Sequence, residues 1–111
     1  MRILLITLLV VAGCGDGPTS TKYVQTWTKP YGDTTCADWR DAMSEQQKFV
    51  MAGDILLTSQ RKLKADAAIP SDALVGQFQG QLQGLCLTYP TDDVATASFI
   101  VWTTGQDVFA P

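Results

Sequence analysis

The chain contains no histidine and no asparagine. Without an imidazole, every mechanism that uses histidine as base, nucleophile or metal ligand is excluded. Without asparagine there is no N-glycosylation sequon. Charge is also scarce, at 17% of residues, and one glutamate stands beside ten aspartates. Eight basic residues face eleven acidic ones, a formal net charge of −3. An acidic balance has no electrostatic claim on nucleic acid, which is met by a basic face. The longest apolar run, Ile3 to Gly13, is 11 residues. A membrane-spanning helix needs about 20. Only three cysteines are present, and 111 residues allow one domain. What is abundant is apolar side chain, 46% of the sequence, too much for a disordered chain.

The apolar run has a charged start at Arg2, an aliphatic stretch from Ile3 to Val11, and small residues at Ala12 and Gly13. These are the parts of an export signal. The motif Val11-Ala12-Gly13-Cys14 resembles the lipobox of bacterial lipoproteins. That resemblance implies cleavage after residue 13, lipidation of the Cys14 thiol, and attachment to the membrane through that lipid. The domain would then lie outside the cytoplasm. Two or more acyl chains anchor stably where one is marginal. Residues Gly15 to Thr21 are small, polar and turn-rich, the composition of a flexible tether. The expected division is a signal over 1–13, a lipidated cysteine and tether over 14–33, and a folded domain over 34–111.

With Cys14 lipidated, Cys36 and Cys86 remain, in a compartment where disulfides persist. One pairing is then available. The alternatives are a buried pair of free thiols or a metal site, and two ligands fall short of the four that zinc takes. The sequence calls for no metal and no cofactor.

Helix starts punctuate the domain. Thr35-Cys36-Ala37-Asp38 and Ser44-Glu45-Gln46-Gln47 have capping-box spacing. The first opens a short helix through Met43. The second opens a longer one to about Ala65, with Phe49, Ala52, Leu56, Ser59 and Leu63 at helical spacing, widened by Ile55. Pro70-Ser71-Asp72 is a third start, ahead of an apolar stripe through Leu74, Phe78, Leu82, Leu85 and Cys86. Gly76, Gly80 and Gly84 recur opposite that stripe, and Gln77, Gln79, Gln81 and Gln83 alternate, so residues 75–85 also have the pattern of a strand. Thr91-Asp92-Asp93 opens a fourth helix, with Val94, Ala97, Ser98, Val101, Gly105 and Val108 toward the core. Its β-branched and aromatic stretch over 98–104 competes as strand. The expected fold is all-α: three or four helices clamped by one Cys36–Cys86 disulfide behind a flexible tether.

The layout of Thr35-Cys36-Ala37-Asp38-Trp39, the Pro70-to-Leu85 helix, Cys86 and Pro90 resembles small periplasmic acid-stress chaperones of the HdeA type, over residues 34–105. The resemblance implies an all-helical, disulfide-bonded protein that binds clients in acid. A lipid anchor departs from that family, whose members are soluble. The overall plan is also similar to small lipoproteins of phages and prophages, some of which block superinfection.

Catalytic patterns are thin. Ser59-Gln60-Arg61-Lys62 has the S-x-x-K spacing, without the K-T-G strand that accompanies it in penicillin-binding proteins. Asp38 with Asp41, and Asp92 with Asp93, read as helix capping rather than as paired catalytic acids. Trp39 and Trp102 fall near apolar stripes and read as core. Tyr23, Trp27 and Tyr31, between tether and domain, are the candidate interaction residues. The expectation is a non-catalytic, lipid-anchored module with a protein partner.

Overall fold

The computed structural model describes residues 24–111. A 3-10 turn over Tyr31–Asp33 precedes five helices: α1 (Cys36–Asp41), α2 (Glu45–Leu63), α3 (Asp72–Thr88), α4 (Val94–Thr104) and α5 (Gln106–Phe109). The described residues form no strand, and their one isolated β-bridge pairs Thr35 with Asp93.

Each long helix begins where a side chain can satisfy otherwise orphaned backbone donors. Thr35 and Asp38 form a reciprocal capping box on α1, and Ser44 and Gln47 form one on α2. Ser71 accepts from the Leu74 N–H at 3.2 Å to start α3, and Asp93 accepts from the Thr96 N–H at 2.7 Å to start α4. The expected ends need small corrections. α1 stops at Asp41, yet Met43 is buried and its N–H still reaches the Asp38 carbonyl. α2 stops at Leu63, where Lys64 turns extended.

Residues 75–85 and 98–104 are both helical. In α3 the alternating glutamines resolve into two i,i+4 sets. Gln77 and Gln81 face solvent. Gln79 and Gln83 reach toward the preceding helices, Gln79 Nε2 donating to Glu45 at 3.3 Å and Gln83 Oε1 accepting from Trp39 Nε1 at 2.6 Å. Packing along a 3.6-residue period overrides the two-residue pattern. The core positions of α3 are Val75, Phe78, Leu82 and Cys86, with Leu74 half-buried beside them.

The fourth helix is shorter than its apolar pattern suggests. It ends at Thr104, and α5 folds back from Gly105. A Cβ on Gly105 would stand 2.8 Å from the Phe109 ring, so the fold-back depends on that missing atom. The turn carries Phe109, not Val108, into the core, where it meets Phe78 edge-on at 5.1 Å. Gln60 Nε2 donates to the Phe109 carbonyl at 2.9 Å and ties this end to α2.

Cys36 and Cys86 are disulfide-bonded, with Cα atoms 4.9 Å apart and a sequence separation of 50. Both are fully buried beside Trp39. The starts of α1 and α4 are joined by two backbone bonds, Cys36 N–H to Asp92 O and Val94 N–H to Thr34 O, each 2.9 Å. α3 is the central helix: it packs along α2 on one side and α4 on the other, while α2 and α4 meet at few points. That last feature leaves a groove.

Residues 24–33 lie against the domain. Gln25 Nε2 donates to the Gln47 carbonyl, Gln47 Nε2 to Thr26 Oγ1, and Trp27 Nε1 to Thr34 Oγ1. The C-terminal part of the expected tether segment is therefore docked on the helices.

Candidate functional site

The groove between α2 and α4 has a volume of about 390 Å³. One wall is Ile55, Ser59, Lys62 and Leu63 of α2; the other is Ala95, Ser98, Phe99 and Trp102 of α4; Tyr31 closes an end. Both walls have the i, i+3/i+4, i+7 spacing of a single helix face. The large side chains stand at the rim: Phe99 is 66% exposed, Leu63 62% and Tyr31 40%. Ser59, Ala95 and Ser98 are small, and Ser98 is buried with its hydroxyl donating to the Ala95 carbonyl. Lys62 is the one charged residue in the lining. Arg61 and Lys64 flank it in sequence, and Arg61 Nε is engaged by the Ala67 carbonyl at 3.0 Å. No carboxylate lines the groove.

The expected site residues separate. Cys14 and Tyr23 lie outside the described residues. Trp27 is half-buried, packed against the core and hydrogen-bonded to Thr34. Of the three candidate aromatics, Tyr31 reaches the groove. Trp39 is fully buried, roofed by Lys48, whose Nζ is 5.9 Å from the ring centroid. Trp102 is half-buried, against the core and along the groove. Ser59 and Lys62 belong to the α2 wall.

Of the expected capping pairs, the side chains of Asp38 and Asp93 cap helices, whereas Asp41 pairs with Arg40 and Asp92 accepts through its backbone carbonyl. Asp38 sits below the ordinary aspartate range, because Lys29 Nζ donates to it at 2.9 Å and the Thr35 N–H at 3.2 Å. Asp93 is lowered too, chiefly by the Thr96 backbone N–H. Asp54 moves the other way: it lines two smaller cavities, of about 130 and 230 Å³, and although exposed it loses enough solvation there to raise its carboxyl. A further shallow cavity lies between α3 and α4, walled by Gln81, Gly84, Thr88 and Thr104 among others. Among the described residues no three metal-ligating side chains converge, and no helix is long and apolar enough to cross a membrane.

Sequence reasoning put Lys62 in a solvated, positively charged last turn of α2, where the structure has it, but it did not single out Phe99 or Leu63 as surface groups. A signal was present for Phe99. The α4 segment carries no charged residue at all. A helix without a charged face has more than one apolar contact surface, and here the core covers only one. No family model matches the chain, and no curated protein or solved structure matches it significantly.

Proposed function

We propose that the chain is an exported, lipid-anchored envelope protein whose helical domain is a non-catalytic binding module for a protein partner. The anchor reading rests on Val11-Ala12-Gly13-Cys14 behind its apolar run. A buried disulfide suits an oxidising compartment outside the cytoplasm. The observation that carries the binding reading is the uncovered groove, with Phe99, Leu63 and Tyr31 held open to solvent on a clamped scaffold. Aromatic side chains around an apolar depression are the usual makings of a contact surface. A protein that excludes superinfecting phage would be one form of such a module.

Two measurements test it. Mass analysis of the N-terminal peptide from membranes reports acylation at Cys14; an unmodified cysteine, or a soluble protein, removes the anchor. In-cell crosslinking at neutral pH and after an acid shift reports the partner. One protein captured at both pH values supports the module.

One observation favours a second reading, an acid-activated chaperone. Asp38 and Asp93, both held in their charged forms, sit on either side of the backbone seam joining α1 to α4. Protonating both loosens two helix starts at once, while the disulfide keeps the chain together. Many captured proteins appearing only in acid, with dye binding near about pH 2 to 3, would establish it. Retained cooperative structure in that range would remove it.

A further inference from the structure

We infer that the α2–α4 groove takes an amphipathic helix of the protein partner, seated so that a carboxylate on that helix meets Lys62. The inference rests on the reading of the domain as a protein-binding module and names the occupant of its groove.

The packing points to a helix. α3 touches both α2 and α4, whereas α2 and α4 touch each other at few points, so the space between their facing sides is left for another element. The groove is floored by buried Ile55 and by the small residues Ser59, Ala95 and Ser98, and rimmed by Phe99, Leu63 and Tyr31. Helices pack about 8–10 Å apart when side chains of one enter gaps on the other. Small floor residues provide those gaps. The walls run from Ile55 to Leu63 and from Ala95 to Trp102, each about two helical turns, or roughly 12 Å. An occupying helix would therefore place two or three apolar residues at i, i+3 or i+4, and i+7 in contact.

Charge selects the class of helix. Lys62 is the single charge in the lining of an otherwise acidic protein. Against a net negative protein, a groove whose one charge is positive favours an acidic segment. A bilayer is the other anionic, apolar partner within reach. Its flat surface would meet the rim side chains and leave the small-residue floor between them unfilled, whereas a helix fills both.

The test uses the full chain in cells, with photoreactive p-benzoylphenylalanine at position 99 in one strain and at position 77, on the solvent face of α3, in another. Expected is a protein adduct from position 99 and not from 77. Its mapped site should lie on a segment with helical apolar periodicity and an Asp or Glu within one turn. Two variants probe the fit: Lys62→Glu, and Ala95→Leu, which fills the floor. Both should cut adduct yield at least fivefold while the melting curve stays cooperative. Replacing the partner's carboxylate by lysine should restore yield in Lys62→Glu. Adducts to lipid, to a second copy or to an extended segment overturn the inference, as does yield indifferent to both variants. A protein adduct from position 77 alone overturns the groove but leaves the binding module standing. No protein adduct from either position removes both. A Cys14→Ser strain separates the anchor: a groove adduct that persists in soluble protein keeps the inference and removes dependence on lipid.

Discussion

Gly105 and three aspartates show how single residues set behaviour in a domain this small. Gly105 lets α5 turn under Phe109, and an added Cβ would meet the ring at 2.8 Å and the Val101 carbonyl at 3.0 Å. Gly105→Ala should destabilise by about 1–3 kcal/mol, read as a lower denaturant midpoint, because the obstacle is a core ring and a backbone atom. The aspartates set the pH profile, with opposing signs. Asp38 and Asp93 have lowered values in the folded state, so their stabilisation is present above the unfolded aspartate value and is lost as pH falls through the folded one. Asp54, though exposed, is raised by partial desolvation, so its charge has a small cost to stability above its folded value, and that cost is relieved as pH falls through it. Melting temperature should therefore hold or rise slightly on mild acidification and drop below about pH 4. Asp38→Asn should flatten the drop, and Asp54→Asn the rise. A profile that changes in neither variant would contradict this assignment.

At the scale of one helix, α3 is weaker than its position requires. Gly76, Gly80 and Gly84 lie on its solvent face, and a Cβ at each meets nothing within 4 Å. Glycine in a helix interior costs about 1 kcal/mol relative to alanine, through backbone entropy. Each Gly→Ala change should raise stability by about 0.5–1 kcal/mol, and the three together nearly additively, measured by thermal melting. A loss at any of them would mean that something packs on that face. α4 has a different character: it carries no charge, and its apolar side chains extend past the core face to the open groove.

Across the whole molecule, the Cys36–Cys86 bond joins the start of α1 to the end of α3. Closing 50 residues constrains the unfolded chain by roughly 4 kcal/mol in the loop-entropy account. That is a large share of the stability of a domain this size. A Cys36→Ala/Cys86→Ala double variant should melt far lower, on the order of 15–30 °C. Because both sulfurs are fully buried, reductant alone should act slowly on the native protein and quickly in denaturant. Rapid native-state reduction would contradict the packing around Trp39.

Local chemistry made the helix starts readable in advance. Thr35, Ser44, Ser71 and Asp93 cap backbone donors a few residues away, and nothing distant is needed to recognise them. Cysteine arithmetic likewise named the disulfide pair. The element starts and the one available cysteine pairing were thus legible locally. That residues 75–85 and 98–104 are helix, and which apolar faces are covered, came from packing between elements. Leu63 has the same hydrophobic spacing as core residues, Phe99 lies on a second apolar face of α4, and Val108 looks as fit for burial as Phe109. The difference lies in how little α2 and α4 touch on either side of α3 and how the chain reverses at Gly105. Those are non-local packing outcomes, set by the angles between elements rather than by the period within one.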